Sequence, residues 1–110
     1  MQITVTGHQI DVGGALRDRV ESRLSDGVGK YFESAIDGHV GFSHEGPLYR
    51  THIRVHVGKG MIWESHADHA DIEFSFNAAF AHLEKQLRRH KRKRRGHHQT
   101  GDGPAPGRPA

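Results

Sequence analysis

The sequence predicts an α+β protein, a two-layer sandwich in which two helices cover one face of a four-stranded sheet. Apolar residues recur at helical spacing in two stretches, residues 12–28 and 71–95, and alternate at strand spacing in four shorter ones. The order of these stretches along the chain is β-α-β-β-β-α. Because the alternation leaves the sheet apolar on one side only, both helices are expected on that same side.

The first helix is predicted between Val12 and about Val28. Asp11 is a suitable N-cap, and Gly27 and Gly29 are expected to mark the C-terminal end, because glycine is common just past the last helical residue. The spacing of the apolar side chains indicates one buried face. Its predicted members are Val12, Ala15, Leu16, Val20, Leu24 and Val28.

The four strands are predicted from alternation of apolar and polar residues. Residues 3–5 define the first strand and residues 40–42 the second. The clearest strand spans residues 49–57, where one face is apolar and the other carries arginine and histidine. A glycine-rich hairpin turn at residues 58–60 leads into the returning strand, residues 61–67.

The last helix, predicted from Asp71 to Arg95, changes from apolar to basic along its length. Residues 83–95 contain eight Lys or Arg and one Glu, whereas residues 1–82 contain eleven acidic and seven basic residues. At about 100° per residue, an apolar stripe faces the sheet and a row of cations lies opposite. The stripe consists of Ile72, Phe76, Ala79, Phe80, Leu83 and Leu87, and the row of Lys85, Arg88, Arg89 and Arg92.

This concentration of positive charge favours a polyanionic partner. Arginine outnumbers lysine, and its planar fork matches phosphate oxygens, which favours RNA. A solvated helix end is the alternative, although the helix macrodipole favours one or two cations rather than eight. A membrane surface is a weaker alternative, because the apolar face of this helix is needed for the core.

Composition limits the other classes of function. A chain of 110 residues forms one domain, predicted over residues 1–95, and the Gly- and Pro-rich residues 96–110 are expected to be a flexible tail or linker. The absence of cysteine excludes disulfides, thiolate zinc sites and cysteine nucleophiles. No nucleophile, phosphate-loop or paired-carboxylate motif is present, so we expect no enzyme activity and no cofactor. Without a secretory signal or a membrane-spanning run, a cytoplasmic protein is expected.

The eleven histidines raise the question of a metal site. His52 and His56 share one strand face, but positions i and i+4 of a strand are about 13 Å apart, too far to share an ion. His66 and His69 match no metal motif, so most histidines are expected to be polar surface residues or, when protonated, phosphate partners. A structural metal or a protein-interaction site on the histidine-bearing sheet face stays an alternative.

Several segments carry a resemblance to a known family. They are Met1–Val12, Ala15-Leu16-Arg17, Lys30-Tyr31-Phe32, Arg50–Val57 and Leu83–Lys91. Together they resemble the ribosome hibernation-promoting factors, also called sigma-54 modulation proteins or ribosome-associated inhibitor A, over residues 1–95. The chain departs from the family at Glu73, where an aromatic residue is common.

The resemblance implies a fold similar to double-stranded-RNA-binding domains. It also implies binding to the small ribosomal subunit, free as 30S or within the 70S ribosome, in the cleft for messenger and transfer RNA. Translation would be inhibited there in stationary phase or stress. The residues that it implies for contacts with 16S ribosomal RNA are Lys85, Arg88, Arg89, Lys91 and Arg92, with Arg23 and Lys30 as weaker candidates.

Two questions stay open at the level of sequence. Long members of the family carry a second domain that drives ribosome dimerisation, and this chain is either a short form or the N-terminal part of a longer product. The alternative function is a general structured-RNA-binding module without preference for ribosomes.

Overall fold

The computed structural model describes residues 1–33, 35–58 and 60–100, with side chains described except at Ile36 and residues 92–100. The predicted order of elements and the predicted fold class are confirmed. The elements are β1 (Gln2–Gly7), α1 (Gly14–Gly29), β2 (Ala35–Glu45), β3 (Leu48–Val57), β4 (Met61–His69) and α2 (Ile72–Thr100).

The sheet has the strand order β1-β2-β3-β4. β1 pairs with β2 in parallel, which requires a crossover connection, and α1 provides it. The other two pairs are antiparallel hairpins, with Val40 opposite Ile53 and Ile53 opposite Ser65. α1 packs on β1 and β2 while α2 packs on β3 and β4, so both helices cover one face.

The core lies between that face and the helices. The stripe predicted for α2 is buried except at Ile72, which is half-buried, whereas in α1 Ala15 is exposed and Leu16 half-buried. The core comprises Val5, Val12, Val20, Leu24, Val28, Val40, Phe42, Ile53, Val55, Val57, Phe76, Ala79, Phe80, Leu83 and Leu87.

Buried hydroxyl groups fix the position of α2 along the sheet. Thr51 Oγ1 and Ser75 Oγ lie 2.6 Å apart, and Ser75 Oγ also donates to the Ile72 carbonyl at 2.7 Å. Ser65 Oγ donates to the Ala79 carbonyl at 2.8 Å. A helix that slid along the strands would leave these groups unpaired inside the core, at about 1–3 kcal/mol each.

The two helices begin differently. The prediction that Asp11 caps α1 is wrong: the N-cap is Gly13, without a side-chain hydrogen bond, because the helix begins only at Gly14, too far along the chain for Asp11 to cap it. Asp71 does cap α2, since its carboxylate accepts the backbone N–H groups of Glu73 at 2.9 Å and Phe74 at 3.1 Å.

The predicted end of α1 at Gly27 and Gly29 is confirmed at Gly29, the last helical residue, whereas Gly27 lies inside the helix. Gly27 is buried against the ring of Phe80 in α2, and a Cβ atom added there would overlap that ring. The missing side chain therefore sets how closely the two helices approach.

α2 extends to Thr100, five residues beyond the predicted end of the domain at Arg95. Gly96 weakens a helix by only about 1 kcal/mol relative to alanine, which does not end a helix by itself. The part of the predicted tail at residues 101–110, like Lys59 in the predicted hairpin turn, lies outside the described residues.

Side chains from both helices cover carbonyl groups at the two edges of the sheet. Arg17 Nη1 of α1 donates to the Val5 carbonyl of β1 at 2.8 Å. On β4, Gln86 Nε2 donates to the Glu64 carbonyl at 3.0 Å, and His82 Nδ1 lies 3.1 Å from the His66 carbonyl. These contacts reduce the tendency of the edge strands to pair with another chain.

Candidate nucleic-acid interface

Three exposed cations on the solvent side of α2 form a surface that we name the α2 ridge: Lys85, Arg88 and Arg89. Because Leu83 and Leu87 are fully buried on the opposite side of the helix, the ridge has a fixed orientation relative to the sheet. Within the described residues, none of the three cations has a carboxylate within ion-pair distance. The ridge therefore presents positive charge that the protein itself does not neutralise.

The two other predicted cations of α2 differ from the ridge. Lys91 is exposed, and its Nζ lies 5.7 Å from the centroid of the Tyr31 ring, a cation–π contact with the connection between α1 and β2. Lys91 therefore lies at the flank of the ridge, toward α1. Arg92 belongs to α2, but its side chain is outside the described part of the chain.

His90 is half-buried in an aromatic cluster rather than being the surface residue expected for most histidines. Its ring lies 5.8 Å from Phe32 and 5.1 Å from Trp63, measured between centroids. The Trp63 Nε1 and His90 Nε2 atoms have no hydrogen-bond partner among the described residues. His90 follows the buried Leu87 by three residues, which directs it toward the sheet, so the helical spacing alone could have identified it.

The predicted cations of α1 are in a different environment. Arg23 Nη1 lies 3.3 Å from Asn77 Oδ1, and the Arg23 guanidinium lies 5.2 Å from the centroid of the Phe80 ring. Arg23 and the exposed Lys30 line a groove of about 290 Å³ between the helices together with Asp26 and Glu84. This groove therefore carries two cations and two carboxylates, whereas the α2 ridge carries cations alone.

Other arginines of the body form ion pairs within the protein. Arg19 pairs with Glu73 at the start of α2. Arg50 Nε donates to Asp68 Oδ1 at 2.7 Å, and Arg50 Nη1 lies 3.2 Å from Glu45 Oε2. The hydrogen bond from Arg50 lowers the pKa of the Asp68 carboxyl, and Asp68 raises the pKa of Arg50.

The histidines of β3 lie on the outer face of the sheet, as the alternation in that strand predicted. His52 Nε2 is 2.8 Å from Glu64 Oε1, and His56 Nδ1 is 3.7 Å from Asp37 Oδ2. In the described part of the chain, no group of three or more His, Asp or Glu side chains could hold a metal ion. Nor does any helix there have the length and apolar character needed to cross a bilayer.

One exposed aromatic residue escaped the interpretation of the sequence. The side chain of Phe74, in the first turns of α2, is 56% exposed, while Phe76 and Phe80 are buried. Phe74 precedes Lys85 by eleven residues, about three turns, so it lies in line with the α2 ridge. The helical spacing of the apolar stripe, which leaves position 74 off the buried face, could have predicted this exposure.

The chain matches the family described as Sigma 54 modulation protein / S30EA ribosomal protein over residues 3–95. A ribosome hibernation promotion factor of Rhizobium meliloti is 28% identical to it over 103 residues, which are 94% of this chain and 54% of that protein. One from Bradyrhizobium diazoefficiens is 33% identical over 91 residues, 83% of this chain and 45% of that protein. The chain thus spans about half the length of these two relatives.

A shorter relative, the ribosome hibernation promoting factor of Azotobacter vinelandii, is 29% identical and is covered over 100% of its length, with 96% of this chain aligned.

Two solved structures have a similar fold. A ribosomal subunit interface protein from Coxiella burnetii gives a TM-score of 0.71 at 22% identity, covering 83% of this chain and 98% of that one. The N-terminal domain of Thermus thermophilus Protein Y gives 0.70 at 26% identity, covering 81% and 98%. With the match over residues 3–95, the chain belongs to the Sigma 54 modulation protein / S30EA ribosomal protein family.

Proposed function

We propose that this protein is a ribosome hibernation factor that binds the small ribosomal subunit and inhibits translation in stationary phase or stress. Its site would be on 16S ribosomal RNA in the channel for messenger and transfer RNA, in the 30S subunit or the 70S ribosome. Membership of the family and the names of its relatives support a role at the ribosome. The α2 ridge supports RNA as the component that the protein contacts.

The observation that carries the proposal is the charge of the ridge. Each exposed cation that meets a phosphate releases a counterion from the RNA, which gives affinity that falls steeply with salt. Cations already paired inside the protein contribute less, because a new phosphate contact replaces an existing one. The binding surface is therefore centred on Lys85, Arg88 and Arg89, with Lys91 and Arg92 extending it and Arg23 and Lys30 adding weaker contacts.

The mechanism is steric. The core fixes the helix that carries the ridge, so phosphate contacts made there hold a folded domain in the channel that messenger and transfer RNA need. No covalent step is required, and we propose no enzymatic activity. Residues 1–95 are the ribosome-binding domain in this proposal, and the protein acts in the cytoplasm, where its target is.

Co-sedimentation with purified 30S subunits tests the proposal. Arg88→Glu/Arg89→Glu should reduce binding roughly 100-fold at moderate salt and lower the steepness of the salt dependence, because two phosphate contacts are lost and two repulsions gained. The double variant should also relieve inhibition of translation in a reconstituted system.

A matched control compares Arg88→Glu with Arg54→Glu. Both residues are exposed arginines and both variants change the net charge equally, but Arg54 lies on the outer face of the sheet, which the helices do not cover. Arg54→Glu should bind nearly as well as the parent. Equal losses in the two variants would mean that net charge, and not the ridge, determines binding, and would refute this assignment of the surface.

A general structured-RNA-binding module is the competing outcome. It predicts similar affinity for 30S subunits and for an arbitrary RNA duplex at the same salt concentration. A ribosome-specific factor should bind the subunit at least 1,000-fold more tightly, as specific nucleic-acid complexes generally do. Ribosome dimerisation in a form of the protein with a second domain would appear separately, as a faster-sedimenting particle in the same gradients.

A further inference from the structure

We propose that Phe74 is a stacking platform for an unpaired RNA base, so that α2 binds RNA through an aromatic ring as well as through cations. The inference rests on the proposed function and adds a second kind of contact to the same surface. It predicts that the surface recognises single-stranded or looped RNA in addition to phosphate charge.

The first observation is that the core does not use the Phe74 side chain. Phe74 is 56% exposed, whereas the other phenylalanines of α2, Phe76 and Phe80, are 2% and 5% exposed. Aromatic side chains are costly to leave in water, and an exposed ring outside the core is a candidate for a binding contact.

The second observation is the position of Phe74 on the helix. Phe74, Ala78, Ala81, Lys85 and Arg88 are separated by four, three, four and three residues, the spacing of a single helix face. Phe74 and Lys85 are therefore about 16 Å apart along the helix axis. Only the methyl groups of two alanines project between them, so a strand of RNA can follow the surface from ring to cation without obstruction.

The third observation is that the local structure holds the ring in place. Phe74 contacts the His69 ring nearly perpendicularly, with centroids 5.1 Å apart and an angle of 83° between planes. His69 Nδ1 accepts the Asp71 N–H at 2.9 Å, and the Asp71 carboxylate accepts the Phe74 N–H at 3.1 Å. A ring fixed in this way loses little side-chain entropy when a base stacks on it.

An RNA base suits this ring better than an apolar protein surface does. The other large apolar side chains that are exposed in the described residues, Met1 and Ile62, belong to the start of the chain and to the outer sheet face, away from α2. Protein interfaces generally need a contiguous apolar patch, whereas single-stranded RNA sites combine an aromatic ring with cations spaced along the path of the strand.

Binding of Phe74 variants to purified 30S subunits tests the inference. Phe74→Ala should weaken binding roughly 5- to 100-fold, the range observed when a stacked base loses its aromatic partner. Phe74→Leu should weaken binding about as much, because leucine is apolar but cannot stack, and Phe74→Trp should bind at least as tightly as the parent. Ile62→Ala, which removes a comparably exposed apolar side chain from the outer sheet face, should bind like the parent.

The salt dependence separates the ring from the cations. Phe74→Ala should lower affinity equally at all salt concentrations, whereas Arg88→Ala should lower the slope of log K against log salt by about 0.7 to 0.9. Because Phe74 is exposed, its variants should keep the melting temperature of the parent, which circular dichroism can verify.

Failure of the proposed function and failure of the stacking site give different results in these experiments. If Arg88→Glu/Arg89→Glu binds 30S subunits like the parent, the proposed function itself is wrong. If that variant binds weakly while Phe74→Ala binds like the parent, only the stacking site is wrong. Parent-like binding by Phe74→Leu together with weak binding by Phe74→Ala would also overturn base stacking, because it would show an apolar contact.

Discussion

The arginines of the N-terminal body and the cations of the α2 ridge are the same kinds of residue in opposite situations. Arg17 donates to a strand carbonyl, Arg19 pairs with Glu73, and Arg50 lies between two carboxylates. The ridge cations Arg88 and Arg89 have no carboxylate at ion-pair distance among the described residues. Positive charge at these three positions of the body therefore contributes to the fold, and positive charge on the ridge is available to an external anion.

The difference teaches that net charge is a poor guide to the binding surface. The body has more acidic than basic residues, yet it still contains exposed arginines such as Arg19 and Arg23. These two arginines differ from the ridge cations in their local partners. Arg19 pairs with a carboxylate, and Arg23 contacts an amide oxygen and an aromatic ring. Two changes of charge test whether this division of roles is real, and one change of size tests how the two helices pack against each other.

The largest effect is expected from a pair of double variants with the same change in net charge. Arg88→Ala/Arg89→Ala should weaken 30S binding about 10- to 100-fold and leave the free energy of unfolding within about 0.5 kcal/mol of the parent. Arg17→Ala/Arg19→Ala should bind nearly as well as the parent but lose about 1–3 kcal/mol of stability, mostly from the Arg17 hydrogen bond to Val5.

Urea denaturation and co-sedimentation measure the two quantities independently. The proposed division of roles between body and ridge is wrong if both double variants lose binding to the same extent. It also fails if Arg17→Ala/Arg19→Ala is as stable as the parent, because the arginines of the body would then have no structural role.

An intermediate effect is expected from Gly27→Ala, which changes no charge. The added methyl group would overlap the Phe80 ring, so the helices must separate, at about 1–3 kcal/mol for an overpacked core. The gain in helix propensity of about 1 kcal/mol offsets part of this loss. Gly29→Ala, two residues further along α1 with open space around the added atom, should be neutral or slightly stabilising.

The melting temperatures of the two glycine variants measure this difference in stability directly. Equal melting temperatures would show that the contact between Gly27 and Phe80 does not determine how the helices pack.

The smallest effect concerns the Arg50–Asp68 pair. Because Arg50 lowers the pKa of Asp68 below its ordinary value of 3.8, the pair stabilises the fold above pH 3.8 and loses that contribution as the pH falls through the lowered pKa. Carboxyl carbon NMR should show Asp68 titrating below 3.8, and Arg50→Gln should return its pKa toward 3.8. The same titration in Arg88→Ala should be unchanged, and a shift there would show that ridge and body are electrostatically coupled.

Local pattern was enough to predict most of the fold. Alternation from Tyr49 to Val57 identifies the central strand and its buried face, and the apolar stripe from Ile72 to Leu87 identifies the buried face of α2. The same rotation of about 100° per residue predicted that the ridge cations lie opposite the apolar stripe. These features depend on neighbours a few residues apart, which a sequence displays directly.

Contacts between distant residues could not be predicted in the same way. Arg19 and Glu73 are 54 residues apart, and so are Arg23 and Asn77, so nothing in the sequence shows that these arginines are already engaged. The cap of α1 was assigned to Asp11 because of its residue type, whereas the chain begins the helix after Gly13. Lys91 over Tyr31 likewise depends on how the end of α1 meets α2.

The buried hydroxyls of Thr51, Ser65 and Ser75 have a mechanical consequence. They clamp the first turns of α2 to the sheet, while the helix continues from its last buried leucine, Leu87, to Thr100, about 20 Å further. α2 is thus held to the sheet from its first turns to Leu87, with Lys85 inside the held part and Arg88 and Arg89 directly after it. A force applied to those cations is therefore transmitted to the whole domain rather than bending the helix alone.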